Sequence, residues 1–274
     1  MKLALISMRP EIGKIDNNIK KMERHIKNTK ADLYVFGEMS LTGYPLKDEI
    51  RNYAEEINGP SIKKIRKISK ENNCDIIFGM PIKNSDVKGL NHNSAVLIQS
   101  NGKVDVYHKW FLPTFGPFEE KIFYDEGEEL KLINTKNGKI GLIICYDLFF
   151  PEISKAYALM GADMIVCISA SPSVTRKYFE TLLPARAIEN TCFVIYSNIV
   201  GNQEELVFWG GSQAYDPLSN QIIKADYFKE SIVTCEIDIK KINIARANRP
   251  VIRDIRPDIY QDLYQISRKH KMKK

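Results

Sequence analysis

GLIICYDLFFPE, residues 141–152, is the stretch on which the reading of this chain turns. An apolar run, Leu142 to Ile144, ends at Cys145. Two residues on comes Asp147, then Phe149 and Phe150, then Pro151-Glu152, a pair that suits the first turn of a helix. The pattern is a buried strand giving way directly to a helix, the unit from which helix-covered sheets are built. The thiol at the junction has two readings. Cysteine is a small apolar residue that belongs in cores, and it is also a nucleophile when a strand end presents it.

Strand-like and helix-like segments alternate outward from this point. KLALIS near the N-terminus, DLYVFGE and DIIFGMP read as strands. DNNIKKMERHIKNT is helical, with Ile15, Ile19, Met22 and Ile26 on one face, and GPSIKKIRKISKENN is a second amphipathic helix, with Ile62, Ile65 and Ile68 inward. NSAVLIQSNGKVDVYHK is a hairpin turning at Asn101-Gly102. PEISKAYALMG is a helix stopped at Gly161, and DMIVCISA and CFVIYSN are strands flanking a helix near 177–190. Strands follow around GGSQAYD, NQIIKAD and SIVTCEIDI; the last 35 or so residues read as irregular and helical. No repeat or linker interrupts the sequence, so residues 1–274 read as one domain with two sheets covered by helices. The tail, about 240–274, is expected to contact a partner subunit.

Composition narrows the function. The 274 residues are 44% hydrophobic and 27% charged, as in ordinary globular proteins. No run of 18 apolar residues reads as a membrane span, and the N-terminus lacks a signal peptide's long apolar region, so a cytoplasmic protein is expected. The net charge of +6 is spread along the chain rather than focused in a patch interleaved with aromatics, which speaks against nucleic-acid binding. Of the five cysteines, Cys167, Cys192 and Cys235 lie inside β-like runs and read as inert core thiols; Cys74 marks a helix–strand junction. There is no CxxC, GxSxG, GxGxxG or GxxxxGK[ST], so zinc, serine-hydrolase and nucleotide readings lack support. None of the four histidines stands out as a base for a papain-like pair.

Three polar groups sit at strand ends. LYVFGEMSLTGYP places Glu38 just past a strand, VYHKWFLPTFGPFEE places Lys109 where a strand enters an aromatic-rich loop, and Cys145 ends a third. Singly, each has a plain reading: a solvated glutamate, a snorkelling lysine, a core cysteine. Together they make a workable acyl-transfer set. A carboxylate can take the thiol's proton as sulfur attacks, and an ammonium can stabilise thiolate and oxyanion. Such chemistry needs no metal or organic cofactor.

At these segments the sequence resembles the nitrilase superfamily of carbon–nitrogen hydrolases. The resemblance runs nearly end to end, including RPVIRDIRPDIY. It implies an α+β fold, a four-layer αββα sandwich whose members usually pair into homodimers or larger homo-oligomers. It also implies Glu38, Lys109 and Cys145 as catalytic residues, with Glu120 in FGPFEEKIF as a second glutamate that holds the lysine. Within the superfamily, LTGYPLKDE, SASPSVTRK and VGNQEELVFWGGS resemble the glutaminase domain of glutamine-dependent NAD synthetase. That likeness implies Tyr44 beside the pocket, and Ser171 with a cation, Arg176 or Lys177, at the amino-acid end of a substrate. Arg176 and Lys177 also read as the start of a solvated helix, and Phe115 and Phe149 as pocket walls or as core aromatics. Tyr146, directly after the cysteine, departs from those glutaminases and is closer to stand-alone amidases.

The expected activity is therefore cysteine-dependent hydrolysis of a small linear carboxamide, releasing ammonia. The alternatives are an N-carbamoyl or nitrile substrate, a glutaminase subunit that feeds a separate synthetase, and a non-catalytic binding module.

Overall fold

The computed structural model describes residues 1–272. Its first half begins with β1 (Lys2–Ser7), α1 (Ile15–Asn28), β2 (Leu33–Val35), α2 (Ile50–Tyr53) and α3 (Pro60–Glu71). There follow β3 (Asp75–Lys83), β4 (Asn91–Ile98), β5 (Val104–His108) and the one-turn α4 (Glu120–Phe123). The second half runs β6 (Ile133–Thr135), β7 (Gly138–Ile144), α5 (Pro151–Leu159), β8 (Met164–Ser169), α6 (Arg176–Asn190) and β9 (Phe193–Asn198). It ends with β10 (Val200–Gln203), β11 (Leu206–Trp209), β12 (Gln213–Tyr215), β13 (Gln221–Lys224), β14 (Ser231–Glu236), α7 (Lys240–Asn248) and α8 (Pro257–Lys271).

Two six-stranded mixed sheets result, in the orders β14-β1-β2-β3-β4-β5 and β13-β12-β9-β8-β7-β6. Strand periodicity dictates how they stack. On β1, Ala4 and Ile6 face one way and pack with Ile19, Met22 and Ile26 of α1 and Ile62, Ile65 and Ile68 of α3. Leu3 and Leu5 face the other way, into a core shared with Leu142, Ile144, Val166 and Ile168 of the second sheet. That core also takes in Ile153 and Tyr157 of α5 and Phe179 and Leu183 of α6. The layers run helices, sheet, sheet, helices: the αββα sandwich expected from the sequence. Because both faces of each sheet are covered, the strands read as near-continuous apolar runs.

Local differences from the sequence reading are few. Cys145 is not a strand residue; β7 stops at Ile144 and a 3₁₀ turn spans Cys145–Phe149. The hairpin β10–β11 was not legible. Cys167 and Cys192 are core thiols, but Cys235 on β14 is only partly buried, because its strand forms the edge of the first sheet. Helix α8 has no buried residue and exposes Ile259, Leu263, Tyr264 and Ile266. No helix among the described residues is long and apolar enough to cross a membrane. Residues 273 and 274, the end of the tail, lie outside the described residues.

Candidate active site

Strand ends of both sheets converge on one buried cluster. Glu38 follows β2 through a loop that touches the second sheet: its N–H donates to the Ser169 carbonyl (3.2 Å). Gly37 permits this approach, since a Cβ there would lie 2.7 Å from the Ile199 nitrogen and 2.9 Å from the Ser169 oxygen. Gly79 does the same below, where a Cβ would lie 2.4 Å from the Met39 nitrogen. Two non-glycine residues at the cluster adopt left-handed backbone, Met39 (φ 51°) and Cys145 (φ 47°). Such conformations cost about 1–3 kcal/mol each and persist where surrounding structure enforces them.

Lys109, fully buried just past β5, donates to Glu38 Oε1 (2.9 Å) and to Glu120 Oε1 (2.7 Å). The Ala170 N–H donates to Glu38 Oε2 (2.6 Å), and the Tyr44 hydroxyl donates to Glu120 Oε1 (2.7 Å). Asn93, absent from the sequence reading, completes the cluster: its Nδ2 donates to Glu38 Oε1 (2.6 Å) and Glu120 Oε2 (3.4 Å). Its signal in the sequence was a run of polar residues, NHNS, opening a strand in which every residue is buried.

Charge in this buried cluster is sharply redistributed. Burial alone would lower the Lys109 ammonium's pKa, but Glu120 and Glu38 outweigh it and hold the group charged, well above its ordinary value. Burial, aided by Glu38, pushes Glu120 up to about 7 against the pull of Lys109 and Tyr44. The Cys145 thiol is pushed well above its ordinary value, first by burial and then by Glu38; Lys109 and the Ser169 hydroxyl pull the other way. At neutral pH the resting sulfur is therefore a thiol, not a preformed thiolate. His92 and His108 stack on one another (centroids 4.1 Å apart) and face a separate cavity of about 1420 Å³ that none of Glu38, Lys109, Glu120 or Cys145 lines.

The remaining sequence candidates divide. Phe115, Tyr146 and Phe149 form a chain of aromatic contacts beside the cysteine (centroids 5.2 and 5.4 Å), with Phe115 51% exposed. A second cavity, about 520 Å³, is lined by Tyr44, Glu120, Phe123 and Tyr124, with Glu204 and Glu205 from the β10–β11 hairpin. Ser171 is buried and spoken for: its hydroxyl accepts from the Trp209 indole (3.1 Å) and pairs with Thr175 (2.7 Å). The Arg176 guanidinium stacks on Tyr227 (4.7 Å) and faces Glu180 (3.9 Å), so it opens α6 as a tertiary anchor. Lys177 is exposed on the same turn.

The carbon-nitrogen hydrolase family model matches residues 2–247. The chain belongs to that family. The hydrolase is 32% identical to the 2-oxoglutaramate amidase of Bacillus subtilis over 253 residues, covering 90% of this chain and 95% of that protein. It is 31% identical to the glutamine-dependent NAD(+) synthetase of Aquifex aeolicus over 268 residues, 93% of this chain but 45% of the synthetase, so it spans about half of that relative. Among solved structures, a Saccharomyces cerevisiae member of branch 10 of the nitrilase superfamily superposes with a TM-score of 0.82 at 25% identity, over 92% of this chain and 94% of that one.

Proposed function

We propose that the hydrolase cleaves a small linear carboxamide through a thioester on Cys145, releasing ammonia. The observation that carries this reading is the buried triangle of Glu38, Lys109 and Glu120, hydrogen-bonded to one another and acting electrostatically on the Cys145 thiol. Glu38 takes the thiol proton as sulfur attacks the amide carbon, and the carbonyl π pair moves onto oxygen beside the Lys109 ammonium. The tetrahedral adduct collapses as Glu38 returns the proton to nitrogen, expelling ammonia and leaving the thioester. Water, giving a proton to Glu38, then attacks the thioester carbon, and the sulfur departs with that proton. Glu120, braced by Tyr44 and Asn93, holds Lys109 in place. Phe115, Tyr146 and Phe149 line the approach, and Lys177, rather than Arg176, is the cation free to meet a substrate carboxylate.

Relatives named amidase, nitrilase and glutamine-dependent synthetase frame the substrate test. The purified protein should release ammonia from at least one of glutamine, asparagine, ω-amides and simple aliphatic amides, with an acyl adduct on Cys145 seen by mass spectrometry. Carbon dioxide appearing beside an amine would instead mark an N-carbamoyl substrate. Turnover of nitriles alone would replace the amide reading, and turnover only with an added synthetase would make the chain an ammonia-supplying subunit.

A homo-oligomer is part of the same proposal. The apolar side chains of α8, left exposed among the described residues, suit a second copy of the chain. Light scattering should return the mass of a dimer or larger assembly, and truncation before residue 257 should reduce it. A monomeric full-length protein would overturn this part.

A further inference from the structure

Asp147 lies two residues past Cys145, is fully buried, and has no lysine or arginine in ion-pair range among the described residues. Its Oδ2 accepts from the Ile144 N–H (3.0 Å) and from the Tyr107 hydroxyl (2.8 Å). Its Oδ1 accepts from the Phe111 N–H (2.9 Å). Capping the 3₁₀ turn would need only the first of these bonds, and serine or asparagine could supply it. The other two reach across the core to residues flanking Lys109, two positions before it and two after. We infer that Asp147 is a positioning residue of the hydrolase, tying the residue before Cys145 to both flanks of Lys109 and so fixing the thiol against the ammonium. This rests on the reading of Cys145 and Lys109 given above.

Burial pushes the carboxyl up to about 6, while Lys109 and the three donors pull it down, so at neutral pH it is ionised and its bonds are charge-assisted. A buried carboxylate without an ion-pair partner is a costly way to brace a turn. What the charge adds is acceptor capacity on both oxygens at once, which no neutral residue of that size offers. Asparagine shows why: it has one oxygen and one NH₂. Whichever way it turns, it sets an N–H against the N–H of Phe111 or against that of Ile144. Asp147→Asn therefore cuts the link with almost no change in volume, and Tyr107→Phe removes one of its three bonds.

The test is steady-state kinetics on both variants, expressed per folded molecule, with the folded fraction read from near-ultraviolet circular dichroism. Displacement of about 1 Å between reacting groups costs on the order of 10²-fold in rate. Asp147→Asn should lose about that much kcat with KM within threefold of wild type, and Tyr107→Phe about three- to tenfold with the same split. A role in stability alone would lower the folded fraction and leave kcat per folded molecule unchanged; that result overturns the inference. Should Asp147→Asn fail to fold, Tyr107→Phe decides by the same criterion. Cys145→Ala run beside them separates the two levels. If it stays active, the underlying reading of the site is wrong; if it is dead while Asp147→Asn keeps wild-type kcat, only the positioning role is.

Discussion

Cys145→Ala should abolish turnover, by on the order of 10⁴-fold or more, while leaving the fold in place. Removing a covalent nucleophile removes the thioester route itself, and what remains is only the effect of binding and polarisation. The structural cost should be small. The side chain is short and buried, and Ala and Cys bear the left-handed φ of 47° about equally. Relieving the buried thiol of its carboxylate neighbour costs nothing, so the melting temperature should stay within a few degrees of wild type. The contrast with other thiols makes the experiment decisive. Cys167 and Cys192 are also fully buried, and burial raises both of their pKa values, Cys192 to about 12. Alanine at either should lower the melting temperature and leave kcat per folded molecule intact. Turnover by Cys145→Ala within tenfold of wild type would end the thioester mechanism, and kcat loss without unfolding at Cys167 would point to the wrong sulfur.

The fold was largely legible because its logic is local. Two amphipathic helices, α1 and α3, and apolar strands bounded by polar turns already prescribe helices packed outside sheets. The catalytic candidates were legible for a related reason. A carboxylate, an ammonium and a thiol each placed where an apolar run stops are conspicuous in one dimension. What escaped depends on contacts far apart in the chain. Asn93 sits inside a strand, and nothing in NHNSAVLI tells which of its polar side chains faces the two glutamates. Asp147 has no assigned role in the sequence, because two of its three donors lie 36 and 40 positions away. The sequence leaves Arg176 open between a substrate cation and the start of a solvated helix, because Tyr227, on which it stacks, is about fifty residues on. The β10–β11 hairpin lacks a glycine at its tip, where Glu204 supplies the positive φ (50°) instead.

Lys109→Met should be nearly inactive and, unlike Cys145→Ala, markedly less stable. Methionine matches the lysine stem in length and apolar character, so packing changes little. The charge does not survive: among the described residues, Glu38 and Glu120 would face each other across the core with Asn93, Tyr44 and the Ala170 N–H as donors. Breaking a buried ion pair on one side typically costs about 3–5 kcal/mol, and loss of the group that stabilises the oxyanion costs about 10²–10³ in kcat. The pH dependence tells this electrostatic account from a packing defect. Glu120 is already raised to about 7 with the ammonium in place, and without it the carboxylate pair would hold a proton more tightly still. A carboxyl whose folded pKa exceeds its unfolded value contributes stability that is complete below the unfolded pKa and is lost as pH rises through the folded one. The melting-temperature gap between wild type and Lys109→Met should therefore stay level from pH 5 to about 7, where both proteins lose stability together, and widen from there to pH 9, where only the variant still has a carboxyl proton to lose. Adding Glu120→Gln should close much of that gap without restoring turnover, because it removes the repulsion but not the need for a cation. A gap that is flat across this range would mean that Lys109 contributes bulk rather than charge, and near-wild-type kcat in Lys109→Met would remove the ammonium from the mechanism.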